Sequence, residues 1–240
     1  NKIQRYMKTL RLIGSVIMAI MISMNFIACS DDDDDKNPND KRLIRVEDSE
    51  GYTEVYKYDG MGRVSEYQLI EEGVVDDVYT YVYTDNKIAV NNTHGDDNIT
   101  YTLKDGRIVS ADRGNGSQYS FKYDNDNQLI EIKDNEGYVR SFTWNDNNIV
   151  KLVRTTEFGG TYTDDMPSTN IPYRFLGTEI PFYDGIFDNA LFMSGYLGKC
   201  CKNLPSSMRD FGNVDYQIDN NGHINAMIDE DGDSYRFFYE

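Results

Sequence analysis

Basic charge, cysteine, histidine and tryptophan are all scarce in this chain, and each shortage narrows what it can do. Lys and Arg together number 24 against 41 Asp and Glu, a formal net charge of −17. A polyanion is a poor partner for nucleic acid or for an acidic membrane surface. There are three cysteines, Cys29, Cys200 and Cys201, too few for a disulfide-dense scaffold. The two histidines, His94 and His223, follow no metal-ligand spacing and lie beside no candidate nucleophile. Both sit in expected turns. The sequence has no Gly-rich phosphate loop and no Gly-x-Ser-x-Gly elbow. Carboxylates crowd every turn, so no pair stands out for acid–base work. The expectation is no catalytic set, no metal and no cofactor.

Acid is absent before Asp31, where Lys2, Arg5, Lys8 and Arg11 precede the apolar run Leu12 to Ile27. This is the pattern of a secretory signal, with Met7 as the expected start. The run ends in Phe26-Ile27-Ala28-Cys29, which resembles a bacterial lipoprotein signal with Phe26 where leucine is usual. The resemblance implies that Cys29 becomes the mature N-terminus and carries the lipid, which gives stable anchoring when several acyl chains are attached. The alternative is an ordinary secretory cysteine. Removing residues 1–28 takes away four basic and no acidic residues, so the net charge becomes about −21. Asp31 to Asp35 are five adjacent carboxylates that repel one another, so residues 29–40 read as a lipidated, solvated tether. Acid just after the lipid site resembles the export signal of surface lipoproteins in the Bacteroidetes. That places residues 41–240 on the outer face of the outer membrane, with the periplasmic face as the alternative.

What the sequence has in quantity is aromatic residues and turn formers. Nineteen Tyr, eleven Phe and nineteen Gly stand in a chain only 39% hydrophobic. They are ordered. Tyr119 to Val153 states one pattern twice: an aromatic strand, a polar turn and an aliphatic return. The same unit recurs at Tyr52–Ile70, Val78–Val90 and Ile99–Val109. The closing residues of the outgoing strands are Tyr58, Tyr83, Leu103, Tyr123 and Trp144, spaced 25, 20, 20 and 21 apart. Such a period is that of a β-meander. Tyr79, Tyr81 and Tyr83 share one face, as do Tyr119, Phe121 and Tyr123, and Tyr235, Phe237 and Tyr239. One covered aromatic face predicts an all-β antiparallel meander of roughly 12–16 strands, strongly curved or barrel-like. Tyr56-Lys57-Tyr58-Asp59-Gly60-Met61-Gly62-Arg63 also resembles the YD repeat of large secreted β-rich proteins.

From about 155 to 211 the period fails. Pro167, Pro172 and Pro181 interrupt strand pairing, and Phe182 to Leu197 has the spacing of a short helix, with Asp184 as its cap and Gly195 or Gly198 as its end. Such a helix suits plugging the end of a curled sheet. Gly198-Lys199-Cys200-Cys201-Lys202-Asn203-Leu204-Pro205-Ser206 reads as a loop, and hairpins resume at Val214. The adjacent cysteines read as two small, partly buried residues, with a vicinal bridge or soft-metal site as alternatives.

The order of lipoprotein signal, acidic tether, Tyr-rich hairpins, helical insertion and Gly-Lys-x-x-Lys-Asn-Leu-Pro-Ser resembles a Bacteroidetes lipoprotein family with a porin-like fold. The resemblance implies a curved antiparallel meander and no catalytic residue. Asp229-Glu230-Asp231-Gly232-Asp233 resembles part of a calcium loop, but its glycine is misplaced and a hairpin turn is expected. The regular alternation makes the aromatic faces core. Exposed aromatics are expected in the insertion, and Tyr183 and Tyr196 are the weak ligand-binding candidates. The expected function is a non-enzymatic binding or interaction module for a glycan, a peptide or a protein, touching membrane only through its lipid. The alternative is a structural or assembly subunit at the outer membrane.

Overall fold

The computed structural model describes residues 41–95, 98–174, 189–208 and 211–240. Twelve strands follow in succession: β1 (Leu43–Asp48), β2 (Tyr52–Tyr58), β3 (Val64–Glu71), β4 (Val74–Tyr83), β5 (Lys87–Asn92), β6 (Ile99–Lys104), β7 (Arg107–Asp112), β8 (Gln118–Tyr123), β9 (Leu129–Asp134), β10 (Val139–Asn145), β11 (Asn148–Thr155) and β12 (Thr161–Asp165). Each pairs antiparallel with the next. After an irregular stretch come β13 (Ser168–Pro172), the helix α1 (Asn189–Met193), β14 (Asn203–Pro205), β15 (Ser207–Met208), β16 (Gly212–Asn213), β17 (Asp215–Ile218), β18 (Ile224–Ile228) and β19 (Ser234–Tyr239). The last strand returns to the first: β19 pairs with β1, so one 15-stranded sheet runs from β12 through β1 and β19 to β17. The all-β meander expected from the repeat is the observed fold.

Two kinds of turn recur in these hairpins. In the four-residue kind an aspartate carboxylate gathers the turn's own amides. Asp59 Oδ1 accepts from the Met61 and Arg63 N–H groups at 2.9 and 3.0 Å, and Asp124, Asp219 and Asp229 do the same two and four residues on. The third residue after each aspartate has positive φ: Gly62, Asn127, Gly222 and Gly232. In the two-residue kind both residues have positive φ, as at Asp105-Gly106 (52° and 78°) and Asp146-Asn147 (48° and 62°). Part of the abundant acid is therefore turn chemistry. The convex face is polar and carries ion pairs, Lys57–Glu66 and Lys122–Glu131, both 2.6 Å.

The sheet is not closed, since β12 and β17 do not pair. Their edges are joined by a relay of short ladders. β12 leads through Pro167 into β13, which pairs with β14, and β14 leads through Ser206 into β15, which pairs with β16 just ahead of β17. Ser206 N–H donates to the Pro167 carbonyl at 2.7 Å, and Val214 N–H to the Ser206 carbonyl at 3.1 Å. The interruption thus contains strands that its failed periodicity did not announce: β12 extends the meander, and the proline-marked segment pairs locally.

Of the expected helix over Phe182–Leu197 the described part holds α1, which ends at Met193, and residues 182–188, Asp184 among them, lie outside the described residues. Gly195, at φ 77°, follows its last turn. Leu191 and Phe192 are wholly buried, so α1 fills the interior as a plug does. Cys201 is a free, buried thiol, which removes the vicinal-bridge alternative.

Candidate functional site

The concave face is built from the aromatic ladders. Tyr56, Tyr67, Tyr81, Tyr101, Phe121 and Phe142 are buried on it. Tyr67 packs between Tyr56, on which it stacks, and a tilted Tyr79, both ring centroids 5.4 Å away. Glu54, the buried acid of this face, accepts from the Tyr56 hydroxyl and lies 3.5 Å from that of Tyr67. Burying each such ring contributes roughly 1.5–3 kcal/mol. These aromatics form the core, as their alternation predicted.

One end of the face is capped by a single segment that crosses successive turns. The Tyr196 carbonyl accepts from Ile108 N–H (2.8 Å), Lys199 N–H donates to the Asn127 carbonyl (2.7 Å), and Lys202 N–H donates to the Asn147 carbonyl (2.9 Å). Asn203 N–H reaches Asn148 Oδ1 at 2.8 Å, and Ile149 N–H reaches Cys201 Sγ at 3.4 Å. Gly198 must be glycine. Its φ is +81°, and a Cβ would stand 2.3 Å from the Asn127 oxygen and 3.0 Å from the Tyr123 ring.

Tyr196, expected as an exposed aromatic, is 4% exposed. It stacks on Tyr83 at 5.7 Å and hydrogen-bonds Arg63, which packs over the same Tyr83 ring at 4.1 Å. The sequence expected it exposed in the insertion, but this segment folds inward over the end of the curled sheet. Tyr183 lies outside the described residues, as does Cys29.

Exposed aromatics occur elsewhere. Among the described residues the large exposed hydrophobics include two aromatics, Phe158 at 90% and Tyr162 at 59%. Both belong to the β11–β12 hairpin, inside the stretch where the repeat breaks. Phe158 sits in the turn closed by Thr156, and Tyr162 on β12 faces Arg154 across the strand pair. Residues 157–163 are exposed without a break. Arg154 holds Asp164 at 2.6 Å on the concave side, while Asp165 is 82% exposed and only loosely met by Lys151 at 3.9 Å. Neither aromatic was singled out in the sequence, because nothing in Glu157-Phe158-Gly159-Gly160 distinguishes an exposed ring from a core one.

The remaining polar candidates are structural. His223 is 4% exposed rather than an open turn residue, and its ring lies 5.2 Å from that of Tyr239. His94 is exposed and meets Asp77 at 2.8 Å. Asp229 Oδ1 is committed to the Asp231 and Asp233 amides, so that stretch is a hairpin turn. Burial pushes the Cys201 thiol up to about 12, the state of an inert thiol. Among the described residues no three His, Cys, Asp or Glu side chains gather as a metal site, and no helix is long and apolar enough to cross a membrane.

Comparison with known proteins fits this geometry. Residues 39–233 match the model of a family described as a domain of unknown function (DUF4595) with porin-like fold. The chain belongs to this family. A porin-like protein from Bacteroides uniformis is similar in structure, with a TM-score of 0.58 at 15% identity, covering 82% of this chain and 98% of that one. A porin-like protein from Bacteroides vulgatus matches at a TM-score of 0.58 and 13% identity, with the same coverage. At such identities the likeness is one of fold. No curated protein matches the chain. In this DUF4595 member the interior is filled by Leu191, Phe192, Leu197 and the tyrosine ladder.

Proposed function

We propose that this DUF4595 domain is a non-enzymatic interaction module, anchored at the cell surface through Cys29, that meets a glycan or peptide partner through the β11–β12 hairpin. One observation carries the reading: the largely exposed aromatics among the described residues, Phe158 and Tyr162, both lie on that hairpin, while most of the other rings are core or packed against it. The polar groups fit the same picture, since turn aspartates bind their own amides and tyrosine hydroxyls bind main-chain carbonyls.

Topology supports the orientation. The chain enters at Arg42, which exchanges two 3.0 Å main-chain hydrogen bonds with Glu240 and whose guanidinium lies beside Gly62 in the Asp59 turn. In a meander alternate turns share an end. The β2–β3 and β10–β11 turns lie with the entry point, and the β11–β12 turn lies at the other end. A tether on residues 29–40 would therefore leave Phe158 pointing away from the anchor. The charged convex face opposes a lipid-facing role for the sheet.

Glycan-array and peptide-library binding of residues 36–240, with Phe158→Ala and Tyr162→Ala beside the wild type, tests this reading. Binding that both substitutions weaken supports it. No binding of either class, with growth unaffected by gene deletion, would sink it. A second reading, an assembly subunit at the outer membrane, is favoured by the edge of β12, with which no strand among the described residues pairs. Cross-linking on cells distinguishes it, since recovery of the protein alone counts against a complex.

A further inference from the structure

Resting on that reading, we propose that β12 accepts an extended, positively charged segment of another protein as an added strand. The sheet has two edges, and they differ. β17 is four residues long and its pairing with β18 shifts register at Gln217/Ile218. β12 pairs with β11 in five consecutive register positions, Thr161↔Thr155 to Asp165↔Lys151, with no irregularity. Natural edges are usually blunted by lysine, proline or a bulge. Thr161-Tyr162-Thr163-Asp164-Asp165 has no lysine, proline or bulge; the charge it carries is acidic, on Asp164 and Asp165, which repels an acidic strand and admits a basic one. Among the described residues no strand pairs with its outer side, which presents regular main-chain donors and acceptors, the template that strand addition uses.

The flanking side chains select the occupant. Tyr162 and Asp164 share the concave side with their partners Arg154 and Leu152, while Thr161, Thr163 and Asp165 share the convex side. A strand laid beside β12 would place one set of side chains along Tyr162 and the other along Asp165. Tyr162, 59% exposed, offers a ring for apolar side chains, and Asp165, 82% exposed, offers a loosely held carboxylate for a lysine or arginine. Glu157 adds acid at the exposed turn. The whole chain carries −17, which attracts a basic segment and opposes a second copy of itself.

The test titrates the domain (residues 36–240) with a blocked eight-residue peptide alternating lysine and valine, and with its glutamate counterpart. Hydrogen exchange and calorimetry follow the binding. The lysine peptide should bind and slow exchange at residues 161–165 while leaving 215–218 unchanged. Asp165→Lys should weaken that binding on the order of fivefold and improve the glutamate peptide, at an unchanged melting temperature. Equal binding of both peptides, protection elsewhere than β12, no binding at millimolar peptide, or a concentration-dependent dimer protected at 161–165 would each overturn the proposal. Failure here alongside ligand binding that Phe158→Ala abolishes would leave the interaction reading standing and remove strand addition alone.

Discussion

The Tyr123 hydroxyl donates a 2.7 Å hydrogen bond to the main-chain carbonyl of Ile108, fifteen residues earlier. This relationship recurs around the sheet. Tyr58 reaches Leu43, Trp144 reaches Leu129 and Tyr239 reaches Ile224, each across the same fifteen residues. Tyr83 reaches Val64 across nineteen, because β3 and β4 form a longer hairpin. The residue just before each acceptor covers the ring in four of these units: Arg42 on Tyr58, Arg63 on Tyr83, Arg107 on Tyr123 and His223 beside Tyr239. A polar residue, a buried aliphatic and a later aromatic thus form one three-residue clasp between neighbouring hairpins. Burial raises the Tyr58, Tyr123 and Tyr239 phenols well above their usual range, so they stay protonated donors.

Removing one clasp hydroxyl leaves a carbonyl without its donor. Tyr123→Phe should cost about 1–2 kcal/mol in urea unfolding, and Tyr58→Phe and Tyr239→Phe a similar amount. Tyr162→Phe, at an exposed ring, should stay within about 0.5 kcal/mol.

Glycine substitutions should separate backbone strain from collision. Gly51 has φ +102° and nothing within 4 Å of where a Cβ would stand, so Gly51→Ala should cost only the strain, about 1 kcal/mol. Gly198→Ala adds a collision with the Asn127 oxygen and should cost about 3 kcal/mol or more. Denaturant midpoints of the two variants check the contrast.

Acid should loosen the hairpins. The hydrogen bond from the His223 N–H, helped by that of Asn221, holds the Asp219 carboxyl below its ordinary range. At Asp59 burial pushes up, but the hydrogen bonds from Arg63 and Met61 prevail and the net direction is down. A carboxyl depressed in the folded state stabilises above its unfolded pKa and loses that contribution as pH falls through the folded value. Stability should therefore be flat near neutrality and decline below the ordinary carboxylate range. Asp219→Asn should flatten the decline, read as urea midpoints from neutral to acid pH.

Chemical labelling should find Cys201 closed. Burial and a thiol pushed up to about 12 leave almost no thiolate at neutral pH. Alkylation of Cys201, followed by peptide mass spectrometry, should be negligible in the folded protein and complete in denaturant.

Two aromatic truncations should have opposite consequences. Tyr196→Ala empties a buried position between Tyr83 and Arg63 and should cost about 3–5 kcal/mol. Phe158→Ala, at a 90% exposed ring, should leave the melting temperature unchanged and show its effect in binding alone.

Local chemistry was legible in the sequence. The Asp59, Asp124 and Asp219 turns announced themselves by aspartate and by glycine or asparagine where φ must be positive. The ladders Tyr79-Tyr81-Tyr83 and Tyr119-Phe121-Tyr123 announced a covered face, and both lie on it. These signals act within a few residues, where backbone sterics and side-chain alternation decide the outcome. The capping role of the insertion was legible as well, since an apolar helix beside an open sheet end has one place to bury itself.

Three features were decided only by tertiary structure. Tyr196 and Phe158 both stand near glycines in the irregular stretch, yet one is buried and the other almost wholly exposed, because burial depends on which surface arrives from far along the chain. β19 joins β1, a pairing between strands nearly two hundred residues apart in sequence that no local pattern encodes. β12 became an edge because Pro167 turns the chain into the β13–β14 ladder instead of onward to β17. Local residues fixed the hairpins. Long-range contacts settled which rings the curl encloses and which strand stands at its edge, because enclosure is a property of the whole sheet.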